Sequence, residues 1–189
     1  MRPALFLDRD GTLNEEVDYL HRPEDLALIP GAARALARVN AAGIPVVVVT
    51  NQSGIGRGYY DWPDFEAVMA RMAKHLAEAG AHLDATYASP HHEKGQGDYG
   101  VADHPDRKPN PGMLQRAAAE HGLDLSRSWM VGDKALDVEA GRRAGCRTIL
   151  VRTGYGRTED PTGADRVCED LAEAVDHILE GWPWTPRSS

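Results

Sequence analysis

Short apolar runs alternate along this chain with longer segments of helical periodicity. Residues 4–7, Ala-Leu-Phe-Leu, are apolar and stop at the acidic Asp8. Residues 31–42 carry Ala, Leu and Val at helical spacing and close on Gly43, so a strand is followed by a helix. Residues 44–49 are apolar throughout and rich in valine, the pattern of a strand buried on both faces of a parallel sheet, and Thr50-Asn51 ends it. Residues 63–80 predict a helix with Phe65, Val68, Met69, Met72 and Leu76 on one stripe, and residues 84–88 a short strand. After a polar stretch rich in Gly and His, residues 89–106, Asn110-Pro111 read as the N-cap and first turn of a helix to about residue 121. Residues 129–131 form a strand ending at Gly132-Asp133, followed by a helix to residue 145, a strand at 148–151 and a last helix from about 170 to 180.

This alternation predicts an α/β fold, doubly wound around a mainly parallel sheet, with residues 1–189 forming one domain. Ligands of such sheets bind at the carboxyl ends of the strands. Three polar clusters directly follow predicted strands and should share that rim: Asp8-Arg9-Asp10, Thr50-Asn51-Gln52-Ser53 and Gly132-Asp133-Lys134. The tail from residue 182 to 189, rich in Pro and Trp, is expected to pack loosely or fray.

Composition adds limits. A hydrophobic content of 42% in 189 residues suffices for one buried core. The net charge of -8 argues against nucleic-acid or acidic-membrane partners, because no basic excess exists to displace counterions. No apolar run approaches the roughly 20 residues needed to cross a bilayer, and the N-terminal run is short for a signal peptide, so a cytoplasmic protein acting as a monomer is expected. Cys146 and Cys168 lack CxxC spacing and read as buried bystander thiols.

Asp8-Arg9-Asp10-Gly11-Thr12 places two carboxylates two residues apart in a tight turn. One can attack as an ionised nucleophile and ligate Mg²⁺ while the other hands a proton to the leaving oxygen, the pair of roles that phosphoryl transfer needs. Thr50 and Asn51 offer a hydroxyl and an amide for phosphate oxygens, Lys108 a cation, and Asp133 a hard oxygen ligand, with Asp137 one helical turn further on. Each cluster alone also has an ordinary explanation as a turn, a helix cap or a solvated lysine. Gly54-Ile55-Gly56-Arg57-Gly58 misses the GxGxxG spacing of a dinucleotide site, and no P-loop is present. A binding domain that keeps the fold without the chemistry is the remaining rival, and it should lack one of these carboxylates.

In this order and at these strand ends, the clusters resemble the haloacid dehalogenase (HAD) superfamily of phosphatases. The resemblance implies a Rossmann-like HAD fold, with Asp8 as nucleophile, Asp10 as general acid and base, and Thr50 and Lys108 as phosphate binders. It implies Mg²⁺ held by Asp8, Asp133 and the carbonyl of Asp10, with Asp137 and Lys134 in support. The intervals between motifs are filled by core elements, so no large cap domain is expected, and specificity should rest on the loops 13–30, 51–60 and 89–107.

Those loops, with Ser89-Pro90-His91-His92, Arg107-Lys108-Pro109 and Val151-Arg152-Thr153-Gly154, are similar to the heptose bisphosphate phosphatase family. The similarity implies a small phosphorylated sugar as substrate, losing its 7-phosphate, with Gln52, Ser53 and Arg107 among its binders. Related histidinol-phosphate phosphatases share most of these motifs and are the alternative. One departure stands out. The family binds a structural zinc in the loop corresponding to 89–106 through three Cys and one His, and here those positions read Ser89, His91, His104 and Asp106. A structural Zn²⁺ is therefore not expected; His91 and His104 are candidates for a weak second metal site or for a hydrogen-bonded polar loop.

Overall fold

The structure is a computed structural model that describes residues 1–184. Six strands, β1 (Leu5–Leu7), β2 (Val46–Asn51), β3 (Ala85–Ser89), β4 (Trp129–Gly132), β5 (Arg147–Val151) and β6 (Arg166–Cys168), form one sheet in the order β3-β2-β1-β4-β5-β6. Every neighbouring pair is parallel. The order runs outward in both directions from β1, so the crevice at the switch point opens beside Asp8.

Alternation within the strands decides which helices cover which face. Leu5, Leu7, Val46, Val48, Trp129 and Val131 face one core with α1 (Ala32–Ala41), α3 (Trp62–Glu78) and α6 (Leu171–Glu180). Phe6, Val47, Val49 and Met130 face the other with α4 (Gly112–His121) and α5 (Ala135–Ala144). The stripe predicted for α3 is the buried one, with Phe65, Val68, Met72 and Leu76 all inside. Its first turn is fixed by a capping box between Asp61 and Asp64.

Four local expectations change. Asn110 does not cap α4: its amide donates to Asp103 Oδ1 and to the carbonyl of His104, and Pro111 occupies the N-cap position. The second strand starts at Val46 rather than Ile44, because Gly43 in the left-handed region still closes α1 and Ile44 N–H bonds back to Val39. Strand β6 and the one-turn helix α2 (Ser53–Gly56) carry too little hydrophobic pattern to announce themselves. The start of the tail is packed: Trp184 is buried against Trp129 and donates its indole N–H to Ile178 O at 2.7 Å. The rest of the tail, 185–189, lies outside the described residues. Both cysteines are buried, and no described helix is long and apolar enough to cross a membrane.

Helix α5 needs glycine at one point to approach the sheet. A Cβ on Gly141 would lie 2.7 Å from both Met130 Cβ and Thr148 Cγ2, on β4 and β5. Gly141→Val should therefore overpack this seam and lower stability by about 1–3 kcal/mol. Chemical denaturation would measure it, and a stability equal to that of the unmodified chain would contradict the packing described.

Candidate active site

Strand β1 delivers Asp8 to the rim, held by its N–H to Val131 O of β4 at 2.9 Å. Lys108, on the loop leading to α4, reaches in beside it. Nζ donates to Asp8 Oδ1 and to the Val49 carbonyl, each at 2.7 Å, and forms an ion pair with Asp137 Oδ1 at the same distance. Burial alone would lower the Lys108 pKa, but the charges of Asp137 and Asp8 more than offset it and hold it above the ordinary lysine value. Asn51 fixes the backbone of this lysine, its amide donating to Lys108 O and its Oδ1 accepting from Lys108 N–H, each at 3.0 Å. The Asn51 side chain, at the edge of the cleft described below, is thus bonded to Lys108 through both its amide groups.

Asp8, Asp133 and Asp137 each bring one carboxylate oxygen within 4.8 Å of the others, and all three are buried. Both oxygens of Asp137 are engaged, with Lys108 and with Lys134 N–H at 3.0 Å. Asp133 Oδ2 accepts from Tyr155 N–H at 2.8 Å, whereas its Oδ1 is buried with no protein partner. The packing around Asp133 is close: a Cβ on Gly11 or Gly154, both at positive φ, would stand 2.2 or 2.3 Å from its Oδ2. Burial first, then the charges of Asp8 and Asp137, push the Asp133 carboxyl up to about 8. Three carboxylates facing one ammonium, with a buried oxygen left over, suit a hard divalent cation such as Mg²⁺.

Asp10 lies in a separate network. Arg9, buried, donates to both Asp10 oxygens at 2.9–3.2 Å and to Gln52 Oε1 at 3.3 Å, with Phe65 packed on its guanidinium. Asn14 adds a bond to Asp10 Oδ1 at 3.1 Å. Arg9 and Gln52 thus hold the Asp10 side chain apart from Asp8 and Asp133, and the third buried carboxylate beside those two is that of Asp137. Gln52 has no free group either. Its Oε1 accepts from Tyr60 Oη at 2.5 Å, and its Nε2 donates to Asp10 Oδ2 at 3.0 Å and Thr50 Oγ1 at 2.8 Å. Because Thr50 accepts there, its own hydroxyl proton is left to point at a ligand oxygen.

A cleft of about 210 Å³ opens over these groups, lined by Asp8, Asp10, Thr50, Ser53, Lys108 and Lys134 among others. Lys134 pairs with Glu16 at 3.4 Å and sits 4.4 Å from the Tyr155 ring centre. Burial, opposed by Lys134, raises the Glu16 carboxyl. Loop 13–30 contributes Glu16 to Leu20 and loop 51–60 contributes Asn51, Gln52, Ser53, Gly54 and Tyr60. Loop 89–107 lines no part of it and braces loop 51–60, through Gln96 N–H to Gly56 O and Gln96 Nε2 to Arg57 O, while Trp62 Nε1 at the start of α3 donates to Tyr99 Oη. Arg107 is likewise outside the cleft, donating to His91 O at 2.7 Å. Arg9, Tyr60 and Glu16 were not singled out from sequence; Arg9 lies inside the DxD motif, but a charge between two acids ordinarily points to water.

His91 and His104 stack face to face, 3.5 Å between ring centres. His104 Nδ1 accepts from Asp106 N–H, and the Asp106 carboxylate pairs with Arg116. Among the described residues, no third His, Cys, Asp or Glu joins these rings around one point.

The chain matches the family model described as HAD-hydrolase-like over residues 106–174. It is 50% identical over 188 residues to the D-glycero-D-manno-heptose-1,7-bisphosphate 7-phosphatase of Thermosynechococcus vestitus, covering 94% of this chain and 95% of that protein. It is 54% identical over 174 residues to the D-glycero-beta-D-manno-heptose-1,7-bisphosphate 7-phosphatase of Mesorhizobium japonicum, with coverage of 92% and 80%. The crystal structure of D,D-heptose 1,7-bisphosphate phosphatase from Bordetella bronchiseptica, complexed with magnesium and phosphate, superposes with a TM-score of 0.84 at 37% identity, covering 95% of this chain and 99% of that one.

The Asp133 environment makes a signed prediction. A carboxyl raised in the folded state contributes stability that is complete below its ordinary pKa of 3.8 and is lost as pH rises toward about 8. Asparagine mimics the neutral form at every pH. Asp133→Asn should therefore raise the melting temperature of the chelator-treated protein at pH 8 by a few degrees, at roughly 2–4 °C per kcal/mol for a chain of this size, and by much less at pH 5. The same variant should lose the stabilisation that Mg²⁺ gives the unmodified chain. Melting curves at both pH values, with and without Mg²⁺, test it; a variant less stable than its parent at pH 8 without metal would contradict the assignment.

Proposed function

We propose that this chain, which belongs to the heptose bisphosphate phosphatase family of HAD-like hydrolases, removes the 7-phosphate of D-glycero-D-manno-heptose 1,7-bisphosphate. The observation that carries this function is the pair of contrasted carboxylates at the end of β1: Asp8 against Lys108 under an open cleft, and Asp10 held apart by Arg9. Asp8 Oδ1 is engaged by Lys108, which leaves Oδ2 to attack phosphorus. The bond from phosphorus to the ester oxygen breaks, that oxygen takes a proton from Asp10, and the phosphoryl group rests on Asp8. Water then attacks the same phosphorus, its proton passes to Asp10, and the Asp8 carboxylate is restored as phosphate leaves. Thr50 and the turn at Ser53 meet the phosphate oxygens, and Lys108 holds Asp8 in orientation through its bond to Oδ1. Asp8 and Asp133 hold the free oxygens for Mg²⁺, with Asp137 positioning Lys108 and the turn at Lys134. When bound, Mg²⁺ supplies positive charge that offsets the oxygens of the transferring phosphoryl group.

Loop 89–106 is read as metal-free. Ser89 Oγ and His91 Nδ1 are buried without partners, but no thiolate is present, Asp106 is committed to Arg116, and the stacked imidazoles do not converge on a shared point. The donors do not fit a closed zinc site. Tight turns around Gly95 and bonds such as His92 N–H to Tyr99 O at 3.0 Å hold the loop instead.

Phosphate release should be fastest from a heptose 1,7-bisphosphate, abolished by EDTA and restored by Mg²⁺. Asp8→Asn should reduce kcat by at least ~10³-fold with the fold intact. A specificity constant for histidinol phosphate above that for both heptose bisphosphate anomers would move the chain to the related activity. Elemental analysis after a chelator wash should find zinc far below one per chain; near-stoichiometric zinc whose removal lowers the melting temperature would show that the histidines have replaced the missing cysteines.

A further inference from the structure

Asp10 and Thr50 are joined by one side chain. Gln52, buried, donates from Nε2 to Asp10 Oδ2 at 3.0 Å and to Thr50 Oγ1 at 2.8 Å. The direction of this amide matters, because its two ends have nearly the same shape and opposite hydrogen-bonding character. While Asp10 is ionised, its charge favours the amide as it stands. Once Asp10 holds the proton it is to deliver, the preference weakens: an overturned amide would offer its carbonyl oxygen to that proton and to the Thr50 hydroxyl proton. Both protons would then be drawn away from the substrate.

Two donors on the far side oppose that turn. Tyr60 Oη lies 2.5 Å from Gln52 Oε1, and Arg9 Nη2 lies 3.3 Å from it. A guanidinium can only donate, and burial pushes the Tyr60 phenol above its ordinary pKa, so it too keeps a proton to give. The phenol makes the shorter bond, since the Arg9 guanidinium is drawn to Asp10. Tyr60 is also firmly held. It is buried against Ile55 and Phe65, and its ring lies nearly parallel to His21 at 5.7 Å. Gly54 makes room for it, since a Cβ there would stand 2.1 Å from Tyr60 Cε1. The next residue, Asp61, caps α3, so the fixed start of a helix carries the phenol.

We infer that Tyr60 is a positioning residue for the acid step: through Gln52 it keeps the Asp10 proton directed at the ester oxygen and the Thr50 proton directed at the phosphate. The role rests on Asp10 acting as the general acid, as proposed above. Without the phenol, Arg9 is left as the donor to Oε1 at 3.3 Å, and the amide can turn. The loss falls on esters whose leaving oxygen needs a proton. A sugar alkoxide needs one, whereas nitrophenolate leaves as a stable anion. A merely structural fault in the loop would slow both kinds of ester alike.

The test compares kcat/KM, which reports the steps up to loss of the leaving group, for an alkyl and an aryl ester. The alkyl ester is whichever of heptose 1,7-bisphosphate and histidinol phosphate is hydrolysed faster, and the aryl ester is p-nitrophenyl phosphate. The proteins are the unmodified chain, Tyr60→Phe, Gln52→Met, the double variant and Asp10→Asn. Tyr60→Phe should lower the alkyl-to-aryl ratio about threefold to tenfold, the worth of one hydrogen bond. Because Tyr60 acts through Gln52, adding Tyr60→Phe to Gln52→Met should lower the ratio no further. A ratio untouched by Tyr60→Phe, or one that falls again by the same factor in the double variant, would overturn the positioning role and leave Asp10 as the acid. Equal losses on both esters in Asp10→Asn would overturn the acid assignment and the Tyr60 role with it. An unmodified chain inactive on both esters would overturn the proposed function as well.

Discussion

One buried ammonium ties the rim of this sheet together. Lys108 Nζ bonds Asp8 after β1, the Val49 carbonyl of β2 and Asp137 on the helix after β4, each at 2.7 Å, while Lys108 itself lies on the connection from β3 to α4. Asn51 then locks the backbone of that lysine from β2. Taking so many charges out of water is costly, and it is tolerated because two carboxylates and a carbonyl oxygen surround the ammonium; loss of one partner in such a buried pair typically costs about 3–5 kcal/mol. The balance is deliberately incomplete on the acidic side. With Asp133 added, three carboxylates face one ammonium, and Asp133 Oδ1 has no protein partner. The acidic groups at this rim therefore outnumber the ammonium that faces them.

The same constraint separates two carboxylates that are only two residues apart. Asp8 turns toward Lys108, whereas Asp10 turns toward Arg9, Gln52 and Asn14. Carboxylates in contrasting environments can take contrasting roles, one attacking and one exchanging protons. Tyr60 completes the arrangement, because its hydroxyl on Gln52 Oε1 decides which end of that amide faces Asp10 and Thr50. Glycine at positions 11 and 154 is what lets the two loops close over Asp133 at all.

Much of this was legible in the sequence, for a physical reason. A strand buried on both faces is uniformly apolar, so a polar cluster directly after it marks the rim, and Asp8, Thr50 and Asp133 were placed this way. Lys108 was legible as a site residue but not as the pivot, because its three acceptors come from separate parts of the chain. Side-chain direction was the main blind spot. Nothing local says that Asn51 and Gln52 turn inward to a lysine and a tyrosine, or that Arg107 turns away to His91 O. Short elements with mixed exposure, such as β6, and the docking of Trp184 on Trp129 depend on tertiary packing that periodicity does not record.

The central claim is that Asp8 carries the phosphoryl group between substrate and water. Rapid mixing with substrate radiolabelled at the scissile phosphate, acid quench within milliseconds and peptide mapping test it most directly. The account predicts transient, hydroxylamine-labile label on the peptide containing Asp8, decaying as phosphate is released. Phosphate release without labelled protein at any time, or label on a residue other than Asp8, would contradict it.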